Sequence, residues 1–278
     1  MTAPLDIAYR PRGRFRSNRI GSHSSSEVGG FGVFRDQTPF LRHPDARRID
    51  VRATLRDPFG ETYVRRFEQR QAIDIYAIAD LSASMAFGAK FDLMAELCGT
   101  LAFSANRVGD RFGLIGCDHA LRQDAFIPAT ASRSLALRAA ERLRAARCSG
   151  EGARGFLDAA AALGASRRLV FLISDFRWPA ELTNGVFAAF AHHDAIPVAI
   201  VDSNEERPPR WGLLELVDAE TGARRLTAMR PSLQARWIEQ ERRRLDEISR
   251  LAGGRARPPI IVRDRFDALE FGRELAAA

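Results

Sequence analysis

The stretch "DLSASM" over residues 80–85 sets a carboxylate and two hydroxyls at alternate positions, Asp80, Ser82 and Ser84, directly after the apolar run "IDIYAIA". All three are hard oxygen donors, the set that suits Mg²⁺, with Mn²⁺ or Ca²⁺ as further ions of the same preference. Their alternation lets a turning loop aim them at one point. A second acid, Asp175, closes the later apolar run "RLVFLISD" and can reach the same point from a neighbouring strand. No His or Cys stands close by to favour zinc. The competing structural expectation is an Asx-type turn at Asp80 and a helix cap at Asp175.

The elements that must hold these side chains read as alternating strands and helices. "AIDIYAIAD", "RFGLIGCD", "RLVFLISD", "AIPVAIVD" and "PIIV" are strand-length apolar runs. Between them, "KFDLMAELCGTLAFSANRVGD" places Phe91, Met94, Cys98, Leu101, Ala105 and Val108 on one helical face, with Gly109 near its C-terminal cap. Further helices are predicted from Ser132 ("SRSLALRAAERLRAAR"), over "ARGFLDAAAALGAS" and over "ELTNGVFAAFAHH". A long one runs from Pro231 to Gly253, and a last one starts near Arg265. "LLELVDAETGARRLTA" predicts a hairpin turned at Thr221-Gly222. Fully apolar strands separated by amphipathic helices predict an α/β fold, a mostly parallel sheet covered on both faces. In such sheets ligands bind beyond the C-terminal strand ends, where Asp80 and Asp175 fall.

The chain has 278 residues, 46% hydrophobic and 28% charged, enough for a substantial core. No apolar run approaches the ~20 residues that span a bilayer, and the N-terminus lacks the apolar segment of a secretory signal. A cytoplasmic location is the expectation, and Cys98, Cys117 and Cys148 fit thiols of a reducing compartment. The net charge of +7 comes almost wholly from arginines spread along the chain, which argues against a nucleic-acid stripe. Residues 1–38 read as a flexible basic arm. Over residues 39–71, "RIDVRATL" and "TYVRRFEQ" read as the strands of a hairpin about Pro58 and Gly60, and residues 72–278 read as the α/β domain.

"DLSASM" resembles the DxSxS signature of the von Willebrand factor A fold, and "LISDF" resembles that fold's later aspartate strand. The segment from "RRIDVRATLRDPFGE" to "DLSASMAFG" is similar to the one that identifies domain-of-unknown-function family 58, and the likeness covers roughly residues 20–275. The short single-domain form resembles the members encoded with methanol-oxidation genes, called MxaS. The resemblance implies a Rossmann-like fold and a metal-ion-dependent adhesion site of Asp80, Ser82, Ser84 and Asp175. It also implies partnership with a MoxR-type AAA+ ATPase, in assembly or metal loading of a client such as methanol dehydrogenase. The family fold usually adds a threonine, where this chain has Gly155, or Ala153 under a shifted alignment. Ser149 or Glu151 is the nearest substitute. That departure supports a rival reading, a scaffold that binds through its basic hairpin and arm with a degenerate metal site.

The remaining polar residues carry structural expectations. Asp118 reads as a solvated loop acid and His192 and His193 as a helix-end pair favoured by the dipole. Arg242–Arg244 reads as a wet helix face. Arg47, Arg48, Arg65 and Arg66 read equally as a solubilising edge or as a contact for an acidic partner. No GxGxxG, Walker A, GxSxG or HExxH motif points to an enzyme.

Overall fold

The computed structural model describes residues 6–13, 15, 20–29, 33–219 and 221–278. They divide into two compact units, residues 13–73 and residues 1–12 with 74–278.

In the smaller unit, β1 (Ile20–Gly29) and β2 (Val33–Pro39) both pair antiparallel with β3 (Tyr63–Gln71), after the short helix α1 (Val51–Arg56). Two expectations change here. Part of the segment that read as an irregular arm is ordered by ladder bonds to β3, while residues 1–5, 14, 16–19 and 30–32 of it lie outside the described residues. "RIDVRATL" is not a strand either. Asp50 accepts the backbone N–H groups of Arg52 and Ala53 at 3.1 Å each and so starts α1, a local cap that outweighs the β-branched residues around it. The Asp50 carboxylate also takes the Arg65 guanidinium at 2.8 Å.

In the larger unit the sheet order is β11-β8-β7-β4-β5-β6. Its strands are β4 (Asp74–Asp80), β5 (Arg111–Cys117), β6 (Leu121–Thr130), β7 (Leu169–Ser174), β8 (Asp194–Val201) and β11 (Ile260–Arg263). All neighbours run parallel except β5 and β6, so the expected mostly parallel α/β sheet is observed. β7 and β8 are buried along their whole length, as strands covered on both faces must be. The sequence reading missed β6. Its Pro128 and polar residues disguise it, and both are tolerated because the strand lies at the sheet edge.

The helices are α2 (Lys90–Arg107), α3 (Arg133–Leu137), α4 (Ala139–Ala145), α5 (Gly155–Leu163), α6 (Ala180–Ala189), α7 (Ser203–Glu206), α8 (Pro231–Ala252) and α9 (Ala268–Ala277). The helix expected from Ser132 is thus two, separated at Arg138. Phe156 of α5, Phe187 of α6 and Ile248 of α8 join Ile78, Val170 and Leu172 in one core. Strand residues of the other parity serve the opposite face, where Phe171 meets Phe271 of α9 with ring centroids 6.4 Å apart. Between α7 and α8, β9 (Gly212–Val217) and β10 (Arg224–Met229) form the expected hairpin, with Gly222 at φ 69° in its turn. Leu213, Val217 and Leu226 lie exposed on it.

Residues 6–12, expected as free arm, are fastened to this unit. Ile7 is buried with its N–H donating to Ser104 Oγ at 2.9 Å, and Arg12 N–H donates to Asp194 at 2.6 Å. Asp194 in turn forms a buried bidentate pair with Arg257 at 2.6 and 2.9 Å. Among the described residues no helix is long and apolar enough to cross a membrane.

Candidate functional site

Because β4 and β7 are parallel neighbours, with Ala79 beside Ile173, their ends leave the sheet side by side. The four residues singled out in the sequence are therefore brought together there. Asp80, Ser82 and Asp175 are buried, and Ser84 is partly exposed. Asp80 Oδ1 accepts the Ser82 N–H at 2.9 Å, the Asx turn expected of a strand-end aspartate. Its Oδ2 accepts the Ser174 hydroxyl at 2.6 Å and the Trp178 indole N–H at 3.2 Å. The two loop hydroxyls, Ser82 Oγ and Ser84 Oγ, lie 3.2 Å apart. Burial, followed by the charge of Asp175, pushes the Asp80 carboxyl up to about 7.

Asp175 has a different environment. Its Oδ1 accepts the Arg177 N–H at 3.1 Å, and its Oδ2 accepts Lys90 Nζ at 2.9 Å. Asp175 does not cap the next helix, since α6 starts after Pro179. Burial works to raise its pKa, but the Lys90 ammonium, with help from Arg177, outweighs burial and holds it below the usual carboxylate range. Lys90 itself is wholly buried at the first position of α2. It also donates to Glu205 Oε1 and Oε2 at 3.0 and 3.1 Å. From Glu205 the network continues through Arg177 (3.3 Å) to Glu241 (2.9 Å) and then Arg244 (3.0 Å). Arg244 closes the circuit by donating to the Asp175 main-chain carbonyl. Three acids and three bases thus tie the starts of α2 and α7 and the middle of α8 to the end of β7.

A divalent ion shared by Asp80 and Asp175 does not fit this arrangement. One Asp175 oxygen is held by the Lys90 ammonium and the other by the Arg177 N–H, and both Asp80 oxygens already accept hydrogen bonds. Gly155 cannot supply the missing ligand, because an added Cβ would meet the Ala120 carbonyl group, and Ala153 is buried in the apolar core. Ser149 and Glu151 are exposed, and the loop backbone fills the place beside Ser82 instead. There Ala83 N–H donates to the Gly150 carbonyl at 2.9 Å. Cys148 borders the site, its thiol pushed up to about 12 by burial and by the Asp80 charge.

Lys90, Ser174, Arg177, Trp178, Glu205 and Glu241 escaped the sequence reading. One signal could have found the first: the chain has 42 basic residues, and Lys90 is its single lysine. Other expectations also change. Asp118 is buried, not solvated, and pairs with Arg122 at 3.0 Å while packing against Gly150. Arg242 and Arg243 lie on a wet helix face as expected, but Arg244 is drawn inward by Glu241. His193 is buried, and burial lowers it to about 4, so it stands uncharged, contrary to the dipole expectation. Arg48, Arg65 and Arg66 pair with Asp45, Asp50 and Asp36 of their own unit, which leaves less free charge for an acidic partner.

The profile of the family described as "Protein of unknown function DUF58" matches residues 41–246. An uncharacterized protein of Mycobacterium tuberculosis is 25% identical over 235 residues, covering 81% of this chain and 72% of that protein. The "Uncharacterized protein in moxR 3'region" of Paracoccus denitrificans is 35% identical over 97 residues, covering 34% of this chain and 92% of its own length. Among solved structures, BatB from Bacteroides thetaiotaomicron is similar with a TM-score of 0.44 and 13% identity, covering 74% of this chain and all of that one. A von Willebrand factor type A protein from Catenulispora acidiphila gives a TM-score of 0.41 and 15% identity, over 77% of this chain and 44% of its own.

Proposed function

The chain belongs to the DUF58 family of unknown function, and on that premise we propose that it is a non-enzymatic protein-binding adaptor working with a MoxR-type AAA+ ATPase. The observation that carries this reading is the Paracoccus denitrificans relative, whose name sets it in the 3′ region of moxR. The geometry agrees with binding. Asp80 and Asp175 are buried and engaged by neighbouring side chains, which suits shaping a loop better than attacking a substrate. An exposed apolar face on the β9–β10 hairpin, Leu213, Val217 and Leu226, is of the kind binding proteins carry. The client is a complex that the ATPase assembles or loads with metal in the cytoplasm, methanol dehydrogenase being the one the MxaS resemblance suggests.

Two modes of attachment follow from the sequence: a Mg²⁺ held by Asp80, Ser82, Ser84 and Asp175 that a partner carboxylate completes, or direct contact between protein surfaces. The Lys90–Asp175 pair favours direct contact. The test is co-purification of the tagged chain with the MoxR-type ATPase of its own organism, with and without nucleotide. Stoichiometric capture is expected. Absence of capture in every nucleotide state rejects the adaptor reading.

A further inference from the structure

We propose that Lys90 is the built-in cation of this site: its ammonium stands against Asp175 and Glu205 where a divalent ion would otherwise be needed, and the DxSxS loop is held without metal.

Three observations converge on this. The first is geometric. An ammonium is a compact charge with three donors and no acceptor, and Lys90 Nζ has three carboxylate oxygens at 2.9, 3.0 and 3.1 Å. It is fully buried, and the Phe87 ring, with its centroid 5.7 Å away, is a further cation-binding surface. The second is the sequence. Of the 42 lysine and arginine residues of the chain, every one but this is arginine. A guanidinium is a planar fork that suits flat bidentate pairing, as in Arg257–Asp194. Three oxygens from two carboxylates around one point call for the ammonium instead.

The third is charge balance. Asp175, Glu205 and Glu241 are met by Lys90, Arg177 and Arg244 in one closed circuit. Adding a divalent ion would place two more positive charges against an ammonium in a buried, low-dielectric place, or would require Lys90 to leave. The packing around the pair agrees. Gly88, at φ 58°, packs where any Cβ would overlap the Asp202 carboxylate, and Asp202 caps α7 by accepting Asn204 N–H at 2.8 Å. This close approach brings Glu205 of α7 over the start of α2, within reach of Lys90.

The inference concerns the site alone and stands whichever partner the protein takes. Its test uses the single lysine. The full-length protein is acetylated with an amine-reactive ester, digested, and labelling at Lys90 is compared with the N-terminal α-amine by mass spectrometry, in Mg²⁺ and in EDTA. Lys90 should react at least about 100-fold more slowly than the α-amine, as for a side chain reached only through opening of the fold. Its rate should be the same in both buffers. Labelling of Lys90 that rises in Mg²⁺ means an ion displaces the ammonium and overturns the proposal. In parallel, Mg²⁺ and Mn²⁺ should leave the wild-type melting temperature without a saturable rise. A saturable rise that Asp80→Asn abolishes would also overturn it.

Discussion

Lys90, on the first turn of α2, and Asp175, just past the end of β7, form a wholly buried ion pair with Nζ 2.9 Å from Oδ2. The pair joins a helix start to a strand end 85 residues away in sequence. It is also the point where the charge circuit meets the DxSxS loop, because Asp175 is the charged neighbour that raises Asp80. On the proposal above, stability of the site depends on Lys90 rather than on a bound ion.

Removing one partner of a buried pair leaves the other uncompensated. Lys90→Met should destabilise the fold by about 3–5 kcal/mol, since Asp175 and Glu205 lose their shared cation. Combining it with Asp175→Asn should cost less than the two single changes added together. Urea unfolding of the four proteins measures this, and strict additivity would remove the pair from the account.

Asp80 makes stability fall with pH. The native carboxyl holds its proton up to about 7, whereas the unfolded one releases it near ~4. Between those values the native state binds more protons, so stability declines as pH rises across that window. Asp80→Asn should lack the decline. The urea midpoint of the variant relative to wild type should shift in its favour between about pH 4 and about pH 8. A gap that stays constant with pH contradicts the assignment.

His193 acts in the opposite direction. Burial first, then the charges of His192, Arg168 and Arg167, lower it to about 4, while an unfolded histidine titrates near ~6.5. Below that pH the unfolded chain takes up a proton the native state refuses, so stability falls as pH drops toward 4. His193→Asn should flatten this acid limb in denaturation curves recorded at stepped pH. An unchanged limb would show that another group causes it.

Gly88→Ala imposes a strained φ and a collision with Asp202. The expected loss is about 2 kcal/mol, together with faster acetylation of Lys90 as α7 is pushed from α2. Gly185→Ala, in open space on α6, is the control: it should leave Lys90 acetylation unchanged and stabilise by up to ~1 kcal/mol through helix propensity.

What the sequence made legible was local. β7 and β8 are continuous apolar runs, α2 and α8 carry long apolar stripes, and Thr221-Gly222 marks its own turn. The convergence of Asp80 and Asp175 was legible too, because parallel neighbours end on the same side. β6 was hidden by Pro128 and by its polar residues, both accommodated at the sheet edge. The β-branched residues of α1 suggest a strand, and the Asp50 cap outweighs them. The partner of Lys90 was beyond reach for another reason. Glu205 sits on a four-residue helix, 115 positions on, and nothing in the local pattern connects the two.

The most direct measurement is a crystal structure of the full-length protein grown in manganese, with anomalous data collected to locate the ion. The account expects Lys90 Nζ between Asp175 and Glu205 and no anomalous peak within bonding distance of Asp80, Ser82, Ser84 or Asp175. A manganese ion bonded to those side chains, with the lysine swung away, would contradict it.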